Sequence, residues 1–563
     1  MDSLAPSPNP TADPDPDPRP RPELPLAPGA LTRARTLALR NPVDLDTATA
    51  LLDHVIRHAR TRPDACAVLD GERTLTYAGL LGRVGSARDA LRAHGVRAGD
   101  VVAAVGPRSA HTPVVFLALE SLGASYLPID PSWPEGRVRD VLDRSRVALL
   151  LDYSAGAASA ARAAAGAEGL GTLSLPAEGG PGGPEEGPYG DRTGEARYTI
   201  FTSGTTGRPK GATIEHRGLL NHLWSKVADL SLGSEDAVAF SAPLVFDISI
   251  WQMLCPLLVG GRVVVLDDAV MRMPRWLSGA LDAAGVTVVE LVPTVVGRLV
   301  DETRRQQGPA LPGLRWLLST GEELYPALAE QVLDTLPHVS LVNAYGPAEC
   351  SDDVTLHVVT RADLTRPRLP VGTPVANCDL HVLLQTDDGT WRPAEPGESG
   401  ELFLGGTCVG LGYLNDPAAT ERAFFRDPFH PDSATGRIYR TGDLARIEDG
   451  LVYYLGRGDR QVKVGGVRME LGEIEAVLSR HPGVESCAVT VSDEGAVSEL
   501  VAHYSLRTEV PQQELRQALS AALPPAMVPR RWREWDALPL SHNGKIDYRS
   551  LTATTASTRR EAR

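Results

Sequence analysis

Residues 198–211, YTIFTSGTTGRPKG, constrain this chain more than any other stretch. The apolar or β-branched residues 198–202 predict a buried strand, which runs straight into a Ser-Gly-Thr-Thr-Gly turn closed by Pro209 and Lys210. Such a turn suits a phosphate. Gly204 and Gly207 permit backbone angles that aim amides at an anion, Ser203, Thr205 and Thr206 add hydroxyl donors, and Lys210 adds charge. The spacing excludes a Walker A loop, which needs four residues between its glycines and a Ser or Thr after the lysine. A Gly/Thr turn is equally an ordinary strand-to-helix connection, so the phosphate reading needs support from elsewhere in the chain.

At 563 residues the chain exceeds one ordinary core, and two or more domains are expected. A net charge of −15 leaves no basic footprint for nucleic acid or an acidic membrane. No apolar run reaches the roughly 20 residues of a membrane span, and the N-terminus lacks a signal-peptide pattern, so the expected location is the cytoplasm. Six cysteines without a CxxC pair argue against a zinc site or a disulfide framework. The basic residues carry a sharper signal. Of 56, only Lys210, Lys226, Lys463 and Lys545 are lysine. A composition that otherwise uses arginine marks these four as positions where a compact ammonium is needed.

Residues 1–45, rich in Pro, Asp and Arg, are expected to be a disordered tail. Helical spacing at 51–59, 80–91 and 114–122, with a strand at 101–105, predicts an alternating α/β core. The segment 122–134 reads as a packing turn, and the Ala/Gly-rich stretch 155–195 as a surface loop.

The string 198–211 resembles the signature loop of the adenylate-forming superfamily, which includes nonribosomal peptide synthetase adenylation domains, acyl-CoA synthetases and luciferases. Further motifs follow in that family's order: FDISIWQ at 246–252, NAYGPAE at 343–349, YRTGD at 439–443, YLGRGDRQVKVGGVRMELGEIE at 454–475 and LPLSHNGKIDY at 538–548. The resemblance implies an α/β fold, with a large N-terminal core of mixed and parallel sheets and helices (46–458), a smaller mobile C-terminal α+β domain (459–553) and a disordered end (554–563). It also implies ATP and Mg²⁺ as cofactors. By the same likeness Asp247 binds the substrate ammonium and Tyr345 stacks on adenine. Thr202 joins Ser203, Gly204, Thr205, Thr206 and Gly207 around the phosphates. Glu349 holds Mg²⁺, a hard ion suited to carboxylate oxygen. Asp443 receives the ribose hydroxyls, Tyr454 and Arg457 complete the nucleotide site, Asp459 is the hinge, and Lys545 reaches the reacting carboxylate and α-phosphate. Lys210, Glu349 and Lys545 are the expected catalytic set. One position departs: Gly465 stands where the family usually has Arg.

The implied chemistry is attack of an amino-acid carboxylate on the α-phosphate of ATP, loss of pyrophosphate, and transfer of the aminoacyl group to the phosphopantetheine thiol of a carrier protein. The 18 residues after Lys545 are too few for a carrier domain. The expectation is therefore a free-standing enzyme of nonribosomal peptide antibiotic synthesis that loads its carrier in trans, with a small activator protein as a candidate partner. An acyl-CoA ligase using free CoA and a non-catalytic nucleotide-binding homologue are the alternatives. Asp247 weighs against the first, and intact Lys210, Glu349, Asp443 and Lys545 against the second. The family's specificity positions map to Asp247, Ile248, Trp251, Glu290, Leu318, Thr320, Ala344, Asp352 and Asp353, completed by Lys545. Burying Glu290, Asp352 and Asp353 unpaired costs several kcal/mol each, on the order expected for isolated carboxylates, unless a cation meets them. Either aspartate could instead cap a helix after Pro347. A flexible basic diamino acid of about lysine length is expected, lysine or β-lysine first, ornithine or arginine next, with Trp251 facing its cation.

Overall fold

The computed structural model describes residues 21–154, 170–175, 187–189, 191–202, 209–305, 311–458, 461–492, 498–539, 546–548 and 550–552. Continuous apolar runs produce buried parallel strands. Val101–Val105, Ser125–Ile129 and Leu149–Asp152 form the parallel centre of one seven-stranded sheet, with Ala196–Thr202 and Lys210–Glu215 pairing antiparallel on its flank. A nine-stranded sheet has a parallel centre running through Val288–Leu291, Trp316–Ser319 and Ser340–Tyr345. Between the two sheets lie the helices His111–Leu122 and Ile248–Leu258, apolar on nearly every face because each meets protein on nearly every side. The expected early helices and strand are present as Leu51–Thr61, Tyr77–Ala93, His111–Leu122 and Val101–Val105. The turn expected at 122–134 contains a fully buried strand, Ser125–Ile129.

A third, antiparallel sheet, which includes Cys378–Gln385, Ser399–Gly406 and Arg437–Glu448, completes the large region. It corrects the expectation of disorder before residue 46. From residue 21 the chain is ordered: Ala30–Leu37 is a helix and Leu39–Arg40 pairs with Cys378–Gln385. Leu24 and Ala34, spaced among the prolines, are buried against Trp391, Phe403 and Phe429, and this packing outweighs an unpromising composition. The small C-terminal region has a core of its own, built on the hairpin strands Gln461–Val464 and Val467–Glu470, the sheet from Val484–Ser492 to Arg531–Glu534, and two helices. No helix among the described residues is long and apolar enough to cross a membrane.

Candidate active site

The functional residues collect where parallel strands end, the usual place for ligands in open α/β sheets. Glu290 lies in Val288–Leu291, Leu318 in Trp316–Ser319 with Thr320 just beyond, and Ala344 and Tyr345 close Ser340–Tyr345. Past Tyr345 the chain turns through Gly346 and a short 3-10 helix, Ala348–Cys350. It then passes through Ser351 (φ 63°) and Asp352 (φ 79°), left-handed conformations that cost a non-glycine residue about 1–3 kcal/mol. Gly346 is obligatory there, because a Cβ would lie 1.8 Å from the Asp352 carbonyl oxygen. The strained turn swings Asp352 and Asp353 inward, and neither caps a helix.

A cavity of about 320 Å³ joins the two halves of the expected site. Its walls include Thr202, Asp247, Ile248, Thr320 and Asp352 on one side and Asp443, Arg457 and Lys463 on the other. Asp247 caps the helix Ile248–Leu258, accepting from the Ile248 amide at 3.1 Å. Burial, with Asp353 nearby, pushes its carboxyl up to about 6. Asp443 accepts from the Tyr345 hydroxyl at 2.5 Å and from Arg457 Nη1 at 2.7 Å, while Tyr454 stacks obliquely on Tyr345 with centroids 5.5 Å apart. Ala344 and Tyr345 border an adjoining cavity of about 810 Å³ that shares Arg457 and Lys463.

Glu349 is buried at the wall of a further cavity of about 370 Å³, together with Lys210. Its Oε1 accepts from the Tyr413 hydroxyl at 2.8 Å and its Oε2 from Arg468 Nη1 at 2.9 Å. Burial alone would raise this carboxyl, but Arg468 and Tyr413 outweigh it and hold it low. Lys210 Nζ lies 5.3 Å from the Tyr413 ring centroid, and burial lowers its ammonium despite Glu349. Arg468 comes from the C-terminal hairpin. At the tip of that hairpin the departure at Gly465 is accounted for. Gly465 and Gly466 have φ 60° and 77°, the two-residue turn that suits adjacent antiparallel strands. A Cβ on Gly466 would meet Val292 Cγ1 at 2.5 Å, and the Gly466 amide donates to Glu322 at 2.8 Å. Ser203, Gly204, Thr205, Thr206, Gly207, Asp459 and Lys545 lie outside the described residues. Leu538, Ile546 and Leu551, which flank that last residue in sequence, pack with Ala488 of the small region.

The specificity positions need correction on one point, because two of the three carboxylates, Glu290 and Asp353, do not stand unpaired. Lys226, fully buried on the helix His216–Leu230, places Nζ 2.6 Å from Asp353 Oδ2 and 4.0 Å from Glu290 Oε2. It also occupies the face of Trp251 expected to meet the substrate, 4.8 Å from the ring centroid. Trp251 Nε1 donates to Glu290 at 2.5 Å, and the Thr320 hydroxyl to Asp353 at 3.1 Å. Leu318 belongs to the core. The sequence reading gave no role to Lys226, Arg468 or Tyr413. For Lys226 the scarcity of lysine was the available signal; Arg468 lies within the motif at 454–475, where no role was assigned to it, and for Tyr413 there was none.

The fold and this cavity define an adenylate-forming ligase. The chain belongs to the AMP-binding enzyme family: residues 55–414 match the AMP-binding enzyme and 473–545 the AMP-binding enzyme C-terminal domain. Phosphinothricin tripeptide synthetase PhsB of Streptomyces viridochromogenes is 36% identical over 526 residues, covering 90% of this chain and 42% of that protein. Malpibaldin synthetase of Mortierella alpina is 35% identical over 509 residues, covering 88% of this chain and 9% of that protein. The chain thus spans less than half the length of these relatives. Among solved structures, holo-PA1221, a nonribosomal peptide synthetase protein with adenylation and carrier (PCP) domains, superposes with TM-score 0.77 at 29% identity, covering 90% of this chain and 84% of that one. The Vibrio cholerae adenylation domain AlmE, solved with glycyl-adenosine-5'-phosphate, has TM-score 0.78 at 25% identity, covering 92% and 98%.

Proposed function

We propose that the protein activates a basic diamino acid with ATP, releasing pyrophosphate, and passes the aminoacyl group to the phosphopantetheine thiol of a carrier protein. The observation that carries this reading is the single cavity in which two carboxylates, Asp247 and Asp352, face the nucleotide group of Asp443, Arg457 and Lys463. Asp247 takes the ammonium next to the reacting carboxylate, and Asp352 takes the second amine. Asp443, oriented by Arg457 and Tyr345, accepts from ribose hydroxyls, and the Tyr345 ring covers the base. Lys210 adds positive potential toward the phosphates, so catalysis rests on positioning and charge neutralisation. Glu349 fits a hard cation, since its buried carboxylate is held ionised and already meets a guanidinium. Bound there, Mg²⁺ would neutralise phosphate charge.

Arg468 takes up one Glu349 oxygen and the hairpin Gly466–Arg468 borders the cavity, an arrangement suited to the thioester-forming half of the reaction. Carrier and adenylation domains together in holo-PA1221 support a carrier as acceptor. Lysine, β-lysine and ornithine belong to the proposed substrate class, and arginine, a guanidino acid, is the remaining basic candidate. The test is amino-acid-dependent exchange of pyrophosphate into ATP, followed by comparison of a separate carrier protein with CoA as acceptor. Exchange with diamino acids and transfer to the carrier are expected. Exchange driven best by leucine or glutamate would refute the substrate class, and transfer to CoA alone would refute the acceptor.

A further inference from the structure

Lys226 belongs to none of the family motifs, yet it sits behind the amino-acid pocket. His222 and Lys226 are one helical turn apart on the same face and address the two consecutive aspartates in turn. His222 Nε2 stands 3.3 Å from Asp352 Oδ2, and Lys226 Nζ 2.6 Å from Asp353 Oδ2. Burial would discharge Lys226, but Asp353 and Glu290 outweigh it and keep the ammonium protonated. Asp353 is also held by Thr320, and one Glu290 oxygen by Trp251. The consequence appears at the cavity wall. Asp247, Ile248, Thr320 and Asp352 line it, whereas Trp251, Glu290 and Asp353 lie sealed behind. Asp352 Oδ2 is buried and has no hydrogen-bond partner among the described residues.

We propose that Lys226 sets substrate length. Its ammonium already fills the place that the terminal amine of a lysine-length substrate would need, so the pocket takes a diamino acid shorter than lysine, with its second ammonium on Asp352. This rests on the basic-substrate reading above and revises its expected length, because the deep carboxylates carry their own cation. A second ammonium pushed past Asp352 would meet Lys226 as a like charge in a poorly solvated place. Truncating Lys226 reverses the situation: Asp353 and Glu290 lose their partner, and a longer substrate can supply it.

The experiment measures kcat/KM in ATP–pyrophosphate exchange for 2,3-diaminopropionate, 2,4-diaminobutyrate, ornithine, lysine, β-lysine, leucine and glutamate. In the intact chain one of the two shortest diamino acids should exceed lysine and β-lysine by about tenfold or more, and Lys226→Ala should shift that ratio at least about tenfold toward the longer substrates, as expected where charged groups are left for a substrate to pair. If Lys226→Ala does not fold, the double variant Lys226→Ala/Asp353→Asn should shift in the same direction, and the ranking in the intact chain is decisive by itself. Lysine or β-lysine equalling the short substrates in the intact chain overturns the proposal, as does an unchanged length ranking in a folded variant. Leucine or glutamate exceeding every diamino acid overturns the basic-substrate reading instead, and exchange with no amino acid overturns adenylation altogether.

Discussion

Lowering the pH through the range near 6 should disarm Asp247. Burial and Asp353 raise its carboxyl to about 6, with Lys463 and the Ile248 amide opposing them. Near pH 7.5 such a group is almost fully ionised, while at pH 5 it is about nine-tenths protonated and can no longer pair with an ammonium. With ATP saturating, kcat/KM for the amino acid should therefore fall about tenfold for each unit below pH 6. Bound ammonium favours the carboxylate, so the corresponding limb of kcat should lie at lower pH. Stability moves the other way. A carboxyl raised in the folded state stabilises fully below its unfolded value of 3.8 and loses that contribution as pH rises through about 6, so bound substrate should protect the protein most above pH 6. Burial raises Asp352 and Glu290 well above the usual range too, with neighbouring carboxylates adding to it, so a diamino acid should gain from pH further than a monoamine. Asp247→Asn should abolish the limb and cost about 2–5 kcal/mol of binding. A kcat/KM profile flat down to pH 5, or an Asp247→Asn enzyme that keeps both rate and limb, would refute the reasoning.

Gly346→Ala would set a methyl 1.8 Å from the Asp352 carbonyl, forcing the turn to move by more than an ångström; KM for the amino acid should rise about 100-fold with a lower melting temperature, read by exchange kinetics and thermal denaturation. Arg468→Met removes the guanidinium on Glu349 but leaves the N-terminal site intact, so exchange should stay within about threefold while transfer from preformed aminoacyl-AMP to carrier falls at least about tenfold. Equal loss of both steps would contradict that division. Asp443→Ala should raise KM for ATP at least about tenfold and leave the ranking of amino acids unchanged, which exchange at varied ATP would measure.

Much of the site was legible because its parts are local. The strand Ala196–Thr202, Asp247 at a helix start and Tyr345 at a strand end are each specified within a few residues, as are the buried strands and apolar helices that hold them. The family motifs then named Asp247, Tyr345, Glu349 and Asp443, and the fold collects them around connected cavities. Pairing between distant segments was not legible. Lys226 and Asp353 are separated by 127 residues and Arg468 and Glu349 by 119, so no periodicity links them. The same composition that suggested an empty acidic pocket holds its neutralising lysine on another helix. Residues 21–45 looked like tail because their few apolar side chains have no partner nearby in sequence; the antiparallel sheet supplies one. Sequence alone determined the family and the alternation of elements, since short-range backbone preferences and residue type suffice for these. Only the tertiary structure decided which charges remain open to a substrate, because a buried carboxylate is free or paired according to what the packing brings beside it.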